Sequence, residues 1–335
     1  MAASRELFGY LTSADLTDVG RKRKRNEDSL IRFPESGVFC VADGMGGEDS
    51  GDVASKATVD AVREAMTGPM SERDRALGDR KRDILIASLR KASGWIQKRA
   101  AERGRGMSGS TVVVLIFDAV TPEKGIALHA GDSRLYRYRE GDLSQVTRDH
   151  SLAEEAGFKS RKDLPKVFRG MVTRGVGIRE DLNLEETPAG VRESDLFLLC
   201  SDGLSGMVPD KKLRKILRKH EAADLDELAR ILVSEANDAG GDDNCSVVLI
   251  RIGRFTRAPE GELSAAVPEA SGASTDLAAG EPETADTATA TPPTGGGVPK
   301  PPEKDASGGG TAETLRRPAA PGILSRLIQK VRGNP

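Results

Sequence analysis

Val-Phe-Cys-Val-Ala-Asp-Gly-Met-Gly-Gly at residues 38–47 and Leu-Phe-Leu-Leu-Cys-Ser-Asp-Gly-Leu at 196–204 are two versions of one design. In each, an apolar run of buried-strand character ends by delivering an aspartate, Asp43 or Asp202, into a tight turn with glycine next in line. Two more acids arrive in the same way. Asp132 follows the apolar run 126–130, and Asp243 stands just ahead of the strand-like run 245–252. Carboxylates converging from several strand ends repel one another and are costly to bury unless divalent cations neutralise them. The pattern points to a hard-metal site.

Working outward, residues 1–253 alternate strand and helix signals. Strands are expected at 8–12, 29–33, 37–42, 111–117, 125–130, 134–139, 195–201 and 245–252, rich in Val, Ile, Leu and Phe and bounded by Gly, Asp and Pro. Helices are expected at 50–67, 80–103, 209–219 and 224–238. Leu85, Leu89, Ala92 and Ile96 mark one face of the second, and Leu225, Leu228, Leu232 and Ala236 one face of the last. Tyr136 to Val146, with Glu-Gly-Asp at 140–142, reads as a β-hairpin. Helices fall in pairs between groups of strands, which argues for an α+β fold of packed sheets flanked by helices rather than a regular βαβ repeat.

The composition changes near residue 254. Ten of the chain's seventeen prolines lie between Pro259 and Pro321, mixed with Ala, Thr, Gly and Glu. Residues 254–321 are therefore expected to be a disordered linker, since so little apolar surface does not offset the ordering of the chain. In 322–335, Ile323, Leu324, Leu327, Ile328 and Val331 recur at helical spacing, with Arg326, Lys330 and Arg332 elsewhere on the wheel. This short basic amphipathic helix is read as docking on a partner protein, as resting weakly on a membrane surface, or as having no role.

A net charge of −2 in 335 residues gives no global attraction to nucleic acid or anionic membrane. Three cysteines, all in or beside apolar runs, suit reduced thiols, and no apolar run is long enough to span a bilayer, so the expected location is cytoplasmic. His129, His150 and His220 lack zinc-like spacing.

Thr-Asp-Val-Gly-Arg-Lys-Arg-Lys-Arg-Asn-Glu-Asp-Ser (17–29) holds five consecutive basic residues. Alone they read as a solvated loop or a nucleic-acid patch. With Asn-Glu-Asp directly after, a guanidinium is placed to meet a metal-bound anion, whose oxygens its planar fork grips in pairs. Gly44-Met45-Gly46-Gly47 lacks the Gly-Lys-Ser/Thr ending of a nucleotide loop. Each Asp-Gly turn has an ordinary structural reading by itself, but the full ordered set does not.

That set resembles the metal-dependent protein phosphatases of the protein phosphatase 2C family, in their bacterial serine/threonine form, over about residues 8–252. The matching elements are Asp18-Val-Gly with Arg23 and Asn26-Glu-Asp; Val41-Ala-Asp-Gly-Met-Gly-Gly with Gly51 and Ala54-Ser; Gly109-Ser-Thr; Gly131-Asp-Ser-Arg; Thr147-Arg-Asp-His-Ser; Val172-Thr-Arg-Gly-Val-Gly; Cys200-Ser-Asp-Gly; and Asp243-Asn. The resemblance implies a four-layer αββα sandwich of two antiparallel sheets flanked by helix pairs, with residues 1–253 as the catalytic domain.

It also implies that Asp43 bridges two metal ions, with the Gly44 carbonyl on one and Asp202 and Asp243 on the other. Glu27 and Asp28 then hold metal-bound waters, Asp132 joins Asp202 around the third ion of bacterial members, and Arg23 holds the substrate phosphate. All-oxygen ligands favour Mn2+ or Mg2+ over zinc. The implied reaction is attack of a metal-bridged hydroxide on phosphoserine or phosphothreonine of a phosphoprotein, opposing a serine/threonine kinase, with no covalent enzyme intermediate. A thiol mechanism is disfavoured, because the Cys-x5-Arg spacing is absent at Cys40 and Cys200. The intact acid set speaks against a noncatalytic scaffold. Met45 and Glu48 stand where relatives carry histidine, which leaves the proton donor open between His150 and other groups. The simpler reading of His150 is a brace for its turn. The segment between Ser151 and Met171, with Lys159, Arg161, Lys162, Lys166 and Arg169, corresponds to the family's mobile flap. Its charge suits acidic phosphopeptides or plain solvation.

Overall fold

The computed structural model describes residues 7–46, 50–104, 108–158, 163–165, 168, 170–179 and 181–255. The expected linker beyond Phe255, the C-terminal helix, Glu48 and the five basic flap residues lie outside them. The chain opens with β1 (Leu11–Asp18), β2 (Asp28–Phe33) and β3 (Val38–Met45), followed by helices α1 (Gly51–Thr67), α2 (Glu72–Ala76) and α3 (Gly78–Glu102). It returns through β4 (Gly109–Ser110), β5 (Val112–Phe117), β6 (Lys124–Ala130), β7 (Arg134–Arg139) and β8 (Asp142–Gln145). The one-turn α4 (Leu152–Glu155), β9 (Glu185–Gly190) and β10 (Leu196–Cys200) come next, then α5 (Asp202–Ser205), α6 (Asp210–Lys219), α7 (Leu225–Asp238) and β11 (Cys245–Ile252).

Two antiparallel sheets result. One runs β2-β3-β5-β6-β9 with β4 added beside β3, and the other runs β1-β11-β10-β7-β8. Strand alternation explains why both sheets need uniformly apolar strands. In β3, Phe39 and Val41 face the core between the sheets, while Val38, Cys40 and Ala42 face α1 and α3. In β11, Val248 and Ile250 point inward while Val247 and Leu249 meet α6 and α7. Three apolar layers separate four layers of structure, as in the expected αββα sandwich. Phe39, Phe117 and Phe197 join the sheets through edge-to-face contacts at 5.9 and 5.8 Å.

The four long helices stand within two residues of their expected bounds. Two edge strands differ. The first strand covers 11–18 rather than 8–12, and β9 was not expected at all. Both are polar edge strands, held by backbone pairing to β11 and β6 rather than by an apolar repeat. Pro188 in β9 is tolerated because only one side of that strand is paired.

One buried ion pair fixes the far end of the five-stranded sheet. Arg139 on β7 donates from Nε and Nη2 to the two carboxylate oxygens of Asp195, both at 2.6 Å, and Asp195 is fully buried. Arg139→Ala leaves that carboxylate with only the Arg192 N–H. The expected cost is about 3–5 kcal/mol, read as a lowered urea midpoint at unchanged slope. Arg139→Lys should recover only part of it, because an ammonium does not make the two-point contact.

Candidate metal centre and active site

The sheets deliver acids to one end of the sandwich. Antiparallel register sets Asp28, the first residue of β2, opposite Asp43 near the end of β3. Thr111 fixes Asp43 from the other side. The Asp43 N–H donates to Thr111 Oγ1 at 2.9 Å, and the Thr111 N–H donates to the Asp43 carbonyl at 2.8 Å. Thr111 Oγ1 also shares a 2.7 Å hydrogen bond with Ser133 Oγ, in the β6–β7 turn that carries the buried Asp132. Asp202 is the first residue of α5, where the helix N-terminus favours negative charge. Asp243 lies between α7 and β11 and is followed by Asn244, whose side chain accepts from the Glu27 N–H and donates to the Val19 and Arg25 carbonyls.

These carboxylates feel one another. Burial, then the charges of Asp28, Asp202, Asp132 and Asp243, raises the Asp43 carboxyl well above its ordinary value. Burial pushes Asp28 up to about 7, against the Ser201 hydroxyl that donates to its Oδ2 at 2.7 Å. Burial and the charge of Asp202 also raise Asp243. A set of acids held in mutual repulsion by unrelated strand ends fits divalent cations, and its purely carboxylate and carbonyl donors suit hard ions. Gly44 belongs to this cradle. A Cβ there would stand 2.1 Å from the Gly51 carbonyl oxygen, so only glycine allows the backbone so close.

At the rim, Arg23 donates to Asp243 Oδ2 at 2.7 Å and lies 3.8 Å from Glu27 Oε2. Its side chain is 46% exposed, within reach of an anion from solvent. All eight residues expected at the site therefore stand at this end of the molecule. Thr111, Ser133 and Asn244 are expected from the sequence to shape turns rather than react, whereas reading it gives no role to Ser201. The signal for Ser201 and Ser133 is a small hydroxyl beside Asp202-Gly203 and Gly131-Asp132, and for Thr111 its place after Gly109-Ser110 at the start of a strand.

His150 has its own setting. The Gly131 N–H donates to His150 Nδ1 at 3.2 Å, which leaves the ring proton on Nε2, 2.9 Å from Glu185 Oε2. His129 stacks on it at 4.8 Å. His129, His150 and Glu185 also bring one ligand atom each within 4.8 Å of one another, apart from the acid nest. The tautomer argues against a metal there: an ion on Nε2 needs the proton on Nδ1, where the Gly131 N–H already points. Buried and engaged at both nitrogens, His150 braces the turn that holds Asp132 and is not a free proton donor.

A sandwich of this topology with a nest of buried acids at one end suits a metal-dependent hydrolase. The sequence profile of the Protein phosphatase 2C family matches residues 20–237, and the chain belongs to that family. It is a metal-dependent protein-serine/threonine phosphatase. Among its relatives is the serine/threonine phosphatase stp of Listeria monocytogenes, 30% identical over 254 residues that span 70% of this chain and 93% of that one. Among solved structures, PppA, a key regulatory component of T6SS in Pseudomonas aeruginosa, is 35% identical with a TM-score of 0.64, covering 72% of this chain and 98% of that one. The Mycobacterium tuberculosis serine/threonine phosphatase PstP/Ppp is 27% identical with a TM-score of 0.61, covering 73% and 99%. A further structure of the PstP catalytic domain, equally similar, holds two manganese ions.

Proposed function

We propose that Asp43, the Gly44 carbonyl, Asp202 and Asp243 hold two Mn2+ or Mg2+ ions and that Asp132 joins Asp202 around a third. The burial of Asp43 among four further acids, which together raise its carboxyl, carries this reading, because it makes the nest a site suited to neutralisation by cations. The ions supply a polarised water as nucleophile and offset charge on the transferring phosphoryl group. Glu27 and Asp28 orient water around them. Burial raises the Asp28 carboxyl to about 7 in the metal-free centre, and cations beside it would favour its ionised form, which accepts hydrogen bonds from such water.

Arg23 receives the phosphate of a phosphoserine or phosphothreonine. Its fork exchanges Asp243 for two phosphate oxygens, which are stronger partners than one half-exposed carboxylate. Arg23→Ala is expected to raise KM for a phosphothreonine peptide about 10- to 100-fold, the loss of one charged hydrogen-bonding group, with a smaller change in kcat. An unchanged KM would remove Arg23 from the phosphate site. Mn2+-dependent release of phosphate from such a peptide tests the whole reading.

Residues 1–253 then form the catalytic domain, and the C-terminal segment 322–335 docks on a partner protein, rests weakly on a membrane surface, or has no role. Three buried free thiols support a reducing cytoplasmic setting, in which the enzyme opposes a serine/threonine kinase. No helix among the described residues is long and apolar enough to cross a membrane.

A further inference from the structure

The five consecutive cations at 21–25 are all exposed, in a chain whose net charge is −2. Their backbone is held with unusual care. The Arg21 and Lys22 N–H groups both donate to the Gly241 carbonyl, at 2.8 and 3.2 Å. Asn244 ties down both ends of the run, donating from Nδ2 to Val19 O at 2.9 Å and to Arg25 O at 2.8 Å. Gly20 adopts φ +80° with its α-carbon so close to Asp243 that a Cβ would meet the Asp243 carbonyl oxygen at 2.3 Å. The loop is thus clamped to the segment 241–244 that carries Asp243, and none of these tethers uses a basic side chain.

Three of the five cations, Lys22, Arg23 and Arg25, are engaged with other groups and two are not. Lys22 pairs with Asp242 at 2.5 Å, and Arg23 with Asp243 and Glu27. The side chains of Arg21 and Lys24 make no ion pair or hydrogen bond among the described residues. They flank Arg23 on either side, on a rigid platform, with their charge unused by the fold. A merely solvated loop does not need its conformation fixed by four hydrogen bonds to its backbone.

We propose that this loop is a docking surface for acidic residues beside the phosphorylated side chain of a protein substrate, with Arg21 and Lys24 as its specificity-determining cations. The proposal rests on the reading that seats the substrate phosphate at Arg23. An extended peptide alternates its side chains and rises about 3.3 Å per residue, so neighbours of the phosphoresidue fall within reach of basic side chains next to Arg23. Fixed charges on a rigid rim act chiefly on encounter and on KM, and salt screens them.

The test compares two phosphothreonine peptides of equal length, one flanked by Asp and Glu and one by Ser and Gly, with an aryl phosphate as control. The full-length enzyme and the double variant Arg21→Ser/Lys24→Ser are assayed with Mn2+ at low and high salt. The wild type should favour the acidic peptide about tenfold in kcat/KM at roughly 50 mM salt, through KM. That preference should fall below about threefold at roughly 500 mM salt and in the double variant, while aryl phosphate turnover stays unchanged. Equal turnover of the two peptides by the wild type overturns the proposal, as does a preference that survives in the variant. Tight, salt-sensitive binding of a single-stranded oligonucleotide, lost in the variant while the peptides remain undistinguished, would assign the loop to nucleic acid instead. Absence of aryl phosphate turnover in the wild type would overturn the phosphatase site itself and not the loop.

Discussion

Asp43→Asn is expected to lower phosphopeptide turnover by at least about 10³-fold, the scale seen when a charged group central to an active site is removed, while making the metal-free protein more stable. The two effects have one cause. Asp43 is buried, and Asp28, Asp132, Asp202 and Asp243 all act on it, so without cations its charge is unfavourable. Neutralising it relieves repulsion in the empty centre and removes a donor that the ions need. Thermal unfolding with and without Mn2+ separates the two. Wild type should gain a large metal-dependent rise in Tm, as any ligand that binds only the folded state produces, and the variant should lose most of it. A variant that still answered to Mn2+ like wild type would show that the centre lies elsewhere.

The same nest sets a pH dependence for metal-depleted enzyme. Asp28 is raised from 3.8 in the unfolded chain to about 7 in the folded one, and Asp43 is raised as well. A carboxyl whose folded value is the higher one favours the folded state fully below the unfolded value and loses that contribution as pH rises through the folded value. Chelated wild type should therefore lose stability between about pH 4 and pH 7 from these groups. Mn2+ should restore most at the alkaline end. Asp43→Asn should flatten the slope, which urea midpoints across the range would show.

The sequence made this centre legible because each acid follows or precedes an apolar strand at a sharp boundary. Burial on both faces of a sandwiched sheet forces strands such as Val112–Phe117 and Leu196–Cys200 to be apolar throughout, so their ends stand out. Strands at the sheet edges gave no such signal. Glu185–Gly190 runs from three polar residues into Pro188, Ala189 and Gly190, and Leu11–Asp18 buries few of its side chains. Yet β8, also an edge strand, was recognisable through its turn, where Glu140 and Gly141 both take positive φ and reverse the chain. What stayed hidden was the hydrogen-bonding shell. Ser201 on Asp28, and Thr111 with Ser133 between Asp43 and Asp132, depend on contacts between residues distant in sequence. His150 was open to two readings because sequence does not reveal tautomers. Only the Gly131 N–H aimed at its Nδ1 decides for the brace.

Gly203→Ala should be among the most destabilising single methyl additions in the molecule, although the residue has no catalytic atom to lose. A Cβ at this position would stand 1.8 Å from the Asn244 carbonyl oxygen, 2.7 Å from its carbonyl carbon and 3.1 Å from the Cys245 α-carbon. All three are backbone, so no rotamer change relieves the contact. Either α5 must lift off the start of β11 or the Asp243–Asn244 segment must retreat. Overpacking against backbone is expected to cost about 3 kcal/mol or more, which for a domain of this size lowers Tm by roughly 6–12 °C. Both escapes separate Asp202, the residue before Gly203, from Asp243, the residue before Asn244. Activity should therefore fall even at temperatures where the variant remains folded, and the Mn2+ concentration for half-maximal rate should rise. Gly94→Ala supplies the contrast. It lies inside α3 with nothing within 4 Å of a new Cβ, and it should stabilise by about 0.5–1 kcal/mol through helix propensity alone. If Gly203→Ala behaved like Gly94→Ala, the close approach of α5 to β11 would not be what holds Asp202 and Asp243 together.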